Sequence, residues 1–541
     1  MRFVLFRLDL IFGAIMRKSP SNQLKNSLQC VLFTALTGVF SALIITAFKI
    51  LAEWVVYLSA FIYGAVRDNP AFLPLLILGA VAIGVIASIG RAKSQSCRGG
   101  GIPTSVAAIH GIISFKWLVS LLLLPFSALL TFLAGLPLGT EGPCVQMGTA
   151  IGDGVINCFG KKNGYGWRRY LMTGGASAGF SIATASPVTA IVFAMEELHK
   201  SYSPILILVA SLCVTFAQTT THILATFGIG SVTLFHATTL PAIPVWLFFA
   251  PLIIGLVCSV CSIAFTKAYQ LIDRLTRFLL KKLTAWIIFP ALFALIALVG
   301  FFLAESLGTG HSLVDALLNG RTAWYILILV FLIRALFMIL SNTAGVSGGV
   351  FLPTLAFGAI IGALCGEVFL ALGWIETSHY SLMVVLGITA FLGATSRIPL
   401  TACFFAVEAL GAINNILPVV IATTVAYIVV EVSGLEDFTD TVINAKIRKI
   451  AKEKSATEIV ATLCVAPNSF VVGKNMRDIL WPNDCHIIAF DHAENNKNST
   501  EIAQGDIITV RYSTYDTTAT AREIEALVGE QTQSVKDIIN P

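Results

Sequence analysis

Four carboxylates set in apolar sequence raise the first chemical question. Residues Pro187 to Leu198 read PVTAIVFAMEEL and Pro399 to Leu410 read PLTACFFAVEAL, with seven of twelve positions identical at an offset of 212. Glu196 recurs as Glu408, whereas Glu197 has Ala409 as its counterpart. Ionisable side chains within membrane-type sequence are costly, and they mark proton or ion paths. The repeated pair, Glu196 and Glu408, is expected to serve a scaffold common to both copies by hydrogen-bonding loops or helix ends. The unrepeated Glu197 is expected to serve chemistry that one copy alone needs. The fourth carboxylate, Glu141, stands in GTEGP.

Glu141 belongs to one of three glycine-rich motifs: GGGIPTSVAAI from Gly99, GTEGPCVQMGTAIG from Gly139 and GGVFLPTLAFGAIIG from Gly348. Each places small residues just ahead of an apolar helical run and so predicts a helix N-terminus. Such an end carries unpaired N–H groups and a partial positive charge, and holds an anion without Lys or Arg. Several partial charges bind an ion and still release it quickly, which a buried ion pair does not. Glycines also serve close helix packing, but three motifs arranged with internal symmetry favour the anion reading. Beside such helix ends an ionised Glu141 takes an anion's place, and its protonation makes it leave, coupling one proton to the movement of anions.

The elements that must position these residues are membrane helices. Of 541 residues, 56% are hydrophobic and 12% charged, against roughly 25% charged in ordinary soluble domains. Ser201 to Thr266 contains no Asp, Glu, Lys or Arg, and Trp117 to Thr140 is a second uncharged run, long enough to cross a bilayer at about 20 residues per span. Leu171 to Ala185 and Leu382 to Thr395 are shorter and broken by Gly, as in the discontinuous helices of transporters. GGGIP has a weak counterpart in GTGHS at Gly308, and GTEGPCVQMGTAIG one in GVSGGVFLPTLAFG at Gly345, so the repeat offsets run from 206 to 212. Motifs in one order at one spacing mean a duplicated half of roughly 210 residues with a site where the halves meet. Sequence alone leaves open whether the halves are parallel or inverted.

Charge divides the chain again. Residues 1–455 carry 29 basic and 18 acidic side chains, and residues 456–541 carry 6 and 12. Arg17, Lys18 and Lys25 precede the first apolar run, and Lys446, Arg448, Lys449, Lys452 and Lys454 follow the last, so both ends are expected to face the cytoplasm. MRFVLFRLDLIFGAIM is read as part of that N-terminal segment rather than a signal peptide, because no small-x-small cleavage site follows it. The eleven cysteines are scattered through apolar runs, as small buried hydrophobes rather than a disulfide framework. Cys258 and Cys261 form a close pair without a second ligand pair, the histidines have no metal-ligand spacing, and no P-loop or dinucleotide fingerprint occurs. No metal, cofactor or nucleic acid is expected. The Ser, His and Asp residues form no recognisable hydrolase constellation, which argues against an enzyme.

GGGIP, GTEGP and GGVFLP resemble, in order and spacing, the GSGIP, GREGP and GxFxP signatures of the CLC family of chloride channels and proton-coupled chloride transporters, over roughly residues 27–445. The resemblance implies an all-α polytopic membrane fold of two inverted halves, about 27–230 and 240–445, assembled as a homodimer in which each subunit has its own ion path. It implies that Glu141 is an external gate and Glu197 the inner acid through which transporters receive cytoplasmic protons, an acid the family's pure channels generally lack. It places the anion against Gly100, Gly101, Ile102, Glu141, Gly142, Val350, Phe351 and, by a loose alignment, Phe438. Gly100 stands where the family has the Ser of GSGIP, a position that separates chloride from nitrate preference. Phe438, in EDFTDT, stands for a Tyr hydroxyl donor, and Thr140 replaces the Arg of GREGP. The expected function is a proton-coupled chloride antiporter, with a passive channel as the alternative.

After a basic linker at 446–455, the apolar segments IVATLCV, HIIAF and DIITVRY alternate with APNS, PND and QGD turns, predicting a small β-rich domain over 456–541. The pattern NSFVVGKNMRDILWPNDCHIIAF…EIAQGDIITVRY resembles the C-terminal regulatory domain of potassium-conductance (RCK, TrkA-C type) proteins. That implies a small-molecule regulator or a dimer-stabilising cap on the cytoplasmic side, and, since eukaryotic relatives carry another kind of tail, a bacterial inner membrane.

Overall fold

The computed structural model describes residues 22–93, 98–99, 101–113, 115–160, 166–231, 233–235, 240–453, 457–467, 469–482, 484–492, 501–514, 517–529 and 536–537. Residues 1–21 of the expected N-terminal segment, and Gly100 of GGGIP, lie outside the described residues. Apolar runs form helices because backbone polar groups in lipid must be satisfied within the segment, and here the helices come as two matching sets. The first comprises α1 (Asn22–Asp68), α2 (Leu73–Lys93), α3 (Ile102–Ile109), α4 (Trp117–Leu133), α5 (Glu141–Phe159), α6 (Arg168–Thr184), α7 (Pro187–Phe193) and α8 (Pro204–Thr226). The second comprises α9 (Phe249–Lys282), α10 (Ala285–Phe302), α11 (His311–Asn319), α12 (Trp324–Ala344), α13 (Phe351–Ala371), α14 (Tyr380–Ser396), α15 (Pro399–Glu408) and α16 (Ile416–Val432), after which comes α17 (Phe438–Glu453). Among the described residues, nine helical stretches are long and apolar enough to cross a membrane.

The repeat is visible in local stereochemistry. Proline opens both α7 and α15, where its missing N–H costs nothing. The helices before them end on Ala185 and Arg397, both left-handed, with φ of 54° and 56°. A non-glycine residue there is strained, and finding it at equivalent positions shows that both halves make the same sharp turn. Within each half two helices pack at backbone distance: an added Cβ on Gly148 of α5 would lie 2.0 Å from the Gly175 carbonyl oxygen of α6, and one on Gly358 of α13 would lie 2.6 Å from that of Gly387 of α14.

Two expectations need correction. Trp117 to Thr140 is not one crossing helix: α4 stops at Leu133, and residues 134–140 turn to deliver Glu141. The glycine motifs also align differently. Gly139 exchanges backbone hydrogen bonds with Gly349, at 2.7 and 2.8 Å, rather than standing level with Gly345, and the starts of α5 and α13 correspond at an offset of 210. The match follows the helix starts, not the first glycine of each motif. This antiparallel exchange between equivalent residues is the contact that two inverted halves make across their common axis.

The C-terminal sheet has the order β2-β3-β1-β4, with β1 Thr457–Cys464, β2 Cys485–Asp491, β3 Ile507–Thr514 and β4 Lys536–Asp537. Three strands coincide with the expected apolar segments. A helix that the sequence did not announce, α18 (Thr517–Val528), packs on β1.

Candidate functional site

The three glycine motifs meet at one point between the halves. Gly101 precedes α3, Gly142 is the second residue of α5, and Gly349 lies two residues before α13. A Cβ built on Gly101 would stand 3.1 Å from the Gly142 Cα and 3.7 Å from the Gly349 Cα, and one on Gly142 would stand 2.5 Å from the Gly349 Cα. Gly101 also has φ of 110°, a conformation open chiefly to glycine. Glycine is needed here because three backbones converge, and they converge as helix starts. None of α3, α5 and α13 has a side-chain cap on its first turn, so their N–H groups and dipoles give the junction a positive character. Ile102, Gly142, Val350 and Phe351 are all brought to this junction. Gly101 belongs to it too, but its N–H donates to Gln146 Oε1 at 2.7 Å. Gln146, on the second turn of α5, joins the site through this bond, which no motif in the sequence announces.

Glu141 begins α5 and is buried. Its Oε1 accepts the Thr140 hydroxyl at 3.1 Å, while Oε2 has no protein partner. Thr140, which stands where the resembling family has Arg, therefore replaces a charge with a hydroxyl that holds the carboxylate at the helix start. The aromatic ring of Phe351 packs edge-on against Phe180 (5.0 Å between centroids) and Phe405 (5.8 Å), and Phe180 stacks on Phe193 at 4.3 Å. These buried rings run from the junction to the end of α7. Phe438 lies in another aromatic group, 4.9 Å from Tyr269 and 5.6 Å from Phe265, at the first position of α17.

After Phe193 the helix widens into a single π-helical turn, Ala194–His199. Such a turn inserts a residue and redirects side chains, and is frequent at functional sites. It separates the two neighbouring glutamates. Glu196 reaches the first turn of α15, where it accepts the N–H groups of Leu400 (3.1 Å) and Thr401 (2.7 Å) and the Thr401 hydroxyl (2.8 Å). Glu408 accepts the equivalent set from α7: Val188 N–H at 2.9 Å, Thr189 N–H at 2.8 Å and the Thr189 hydroxyl at 2.6 Å. Each copy thus caps the other copy's helix, a carboxylate at the positive end. Glu197 instead turns inward, 3% exposed. Its Oε1 accepts the hydroxyl of Thr439 and its Oε2 has no protein partner. Beside it Lys200 pairs with Asp437 and Asp440, at 2.5 and 2.6 Å. These partners lie in EDFTDT, on either side of Phe438.

Residues Gly345 to Gly349, GVSGG, have the lettering of a hydrolase nucleophile turn. Ser347 is buried and accepts the Ser127 hydroxyl at 2.9 Å, while its carbonyl accepts that of Thr131 at 2.8 Å. The serine is a packing contact on α4. Among the described residues no group of His, Cys, Asp and Glu could hold a metal ion.

The sequence profile described as voltage gated chloride channel matches residues 80–431. A slow cyanobacterial Cl−/H+ antiporter superposes with a TM-score of 0.70 at 21% identity, covering 78% of this chain and 98% of that one. A CLC-type fluoride/proton antiporter gives 0.62 at 22% identity, covering 76% and 96%, and a eukaryotic CLC transporter gives 0.64 at 20%, covering 78% and 75%.

Proposed function

The chain belongs to the voltage-gated chloride channel family, and from that premise we propose that it is a proton-coupled anion antiporter, exchanging chloride for H+, rather than a passive channel. The observation that carries this reading is the division of labour between adjacent glutamates. Glu196 and Glu408 are spent on reciprocal helix caps, whereas Glu197 is buried with one oxygen unpartnered. A buried acceptor without a donor is disfavoured unless a role retains it, and receiving a proton is such a role. Glu141, with its own unpartnered oxygen at the helix junction, is the external gate. Its carboxylate competes with the anion for the α5 and α13 N-termini, and as a neutral acid it withdraws.

Chloride is held at that junction by backbone groups of Ile102, Gly142, Val350 and Phe351, with Gly101 beside them. Because Gly100 and Phe438 bring no hydroxyl, the site binds by partial charges alone. Residues 27–445 form the transport domain, and 456–541 a regulatory domain of the RCK/TrkA-C kind, joined by the basic linker 446–455. The protein works as a homodimer in a bacterial inner membrane with both termini cytoplasmic.

The deciding experiment imposes a chloride gradient on proteoliposomes and records H+ and Cl− together. Antiport drives protons uphill, and Glu197→Gln abolishes that movement while anions still pass. Chloride flux with no proton movement in the unmodified protein would mean a channel. Repeating the assay with nitrate and fluoride identifies the preferred anion.

A further inference from the structure

Lys200 closes the π-helical turn in a left-handed conformation, φ 51°, and reaches the segment that opens α17. Its ammonium lies 2.5 Å from Asp437 Oδ2 and 2.6 Å from Asp440 Oδ2. Asp437 Oδ1 accepts the Asp440 N–H at 2.6 Å and so caps α17. Between the two aspartates, Thr439 donates to Glu197. Residues 437–440 therefore set two carboxylates and a hydroxyl beside Glu197, and Lys200 bridges the two carboxylates. Exposure falls inward across the group: the Lys200 and Asp440 side chains are each 45% exposed and that of Asp437 3%. The positions 212 residues beyond Glu197 and Lys200 are Ala409 and Ala412, so the second half has neither the acid nor its cation. His199 and His110 border the turn on the other side, beside Arg169. They are tied to Thr173 Oγ1 and the Leu198 carbonyl respectively, each at 2.7 Å.

We propose that Asp440, Lys200 and Asp437 form the aqueous entry that supplies protons to Glu197, with Asp437 as the relay that hands the proton over. This rests on the antiporter reading. A hydronium ion gives a proton to the Asp437 carboxylate, directly or by way of Asp440, and leaves as water. The new O–H bond on Asp437 then breaks as one forms on the Glu197 carboxylate, and Asp437 returns to its ion pair. Lys200 stays an ammonium throughout and nothing is consumed. Its charge keeps the two neighbouring carboxylates from sharing and retaining the proton, as like charges at close range otherwise do.

The test uses the full-length protein in proteoliposomes under a chloride gradient, with both fluxes recorded from pH 5 to 8. Asp437→Asn keeps the α17 cap, since Asn caps as well as Asp, and should slow H+ flux several-fold while Cl− flux persists. Lys200→Met should move the midpoint of the H+-flux profile to higher pH by roughly one unit, and Lys200→Arg should restore it. The Lys200 pair decides the matter if Asp437→Asn fails to assemble. If the unmodified protein moves no protons uphill, the antiporter reading itself fails. If it pumps and Glu197→Gln stops it, yet Asp437→Asn or the Lys200 pair leaves H+ flux and its pH profile unchanged, the entry proposal is overturned and the antiporter reading stands.

Discussion

At the scale of single residues, what matters is whether a group can titrate and whether a backbone can approach. Glu141→Gln removes the proton site while keeping size, and Glu141→Ala removes the competitor for the anion. Both are expected to leave anion flux and to end proton coupling. Strong chloride-driven proton pumping by either variant would defeat the gate assignment. Gly142→Ala tests the approach of the helix starts, because its methyl would lie 2.5 Å from the Gly349 Cα. Forcing a carbon into that space should cost about 1–3 kcal/mol and disrupt anion flux. The control is Gly64→Ala on α1, whose added Cβ meets nothing within 4 Å. That substitution should raise stability by up to about 1 kcal/mol, so thermal unfolding of the two variants should move in opposite directions.

At the scale of elements, the reciprocal caps join α7 to α15 across the repeat. Glu196→Gln and Glu408→Gln each lose a charged acceptor for two N–H groups and should each cost about 0.5–2 kcal/mol, by similar amounts because the two sets of contacts match. Detergent-solubilised Tm values would show this, and whatever protein assembles should remain coupled. Uncoupling by Glu196→Gln with coupling intact in Glu197→Gln would move the proton site one residue earlier. The pairing of Glu196 with Glu408 was legible because duplication preserved both the acid and the Pro-x-Thr it caps. The different placement of Glu197, buried where Glu196 caps a helix, was foreshadowed by Ala409. Its neighbours were not: Lys200 and Asp437 are 237 residues apart, and no periodicity links a loop lysine to an aspartate before a late helix. The register of Gly139 on Gly349 was also hidden, since both motifs are rich enough in glycine to align four residues away. It took a backbone hydrogen-bond pair to fix which glycines face one another.

At the scale of the whole molecule, the C-terminal sheet was readable as alternating strands, but its attachment was not, because the contact joins residues more than 300 positions apart. Glu523 on α18 takes Arg168 and Arg169 from the start of α6, with Arg169 Nη2 at 2.7 Å, and the Tyr170 hydroxyl donates to the Asp478 carbonyl at 2.8 Å. Burial alone would push the Glu523 carboxyl up, but Arg169 and Arg168 hold it below its ordinary value. Arg168 is also bound to Asp153 of α5, at 2.7 Å, so one arginine of α6 bridges Glu523 of the docked unit and the helix that Glu141 begins. Glu523→Gln should therefore loosen docking at every pH near neutral. Lys474 adds a pH dependence. It sits 5.0 Å from the Trp167 ring and over that of Phe470, with no hydrogen-bond partner for its ammonium, and burial pushes its pKa down from 10.5 to about 7. Once undocked and in water, the same lysine titrates near its ordinary value. Between about pH 7 and 10.5 docking thus releases a proton, so it should strengthen roughly tenfold, or about 1.4 kcal/mol, per pH unit as pH rises. Below about pH 7 both states hold the proton and the dependence flattens. Hydrogen exchange over Ser469–Trp481, corrected for the intrinsic pH effect, should show protection rising from pH 7 to 9. In Lys474→Met the protection should be strong and independent of pH, because a thioether is buried at no ionisation cost, and a persisting pH dependence in that variant would assign the effect to another group.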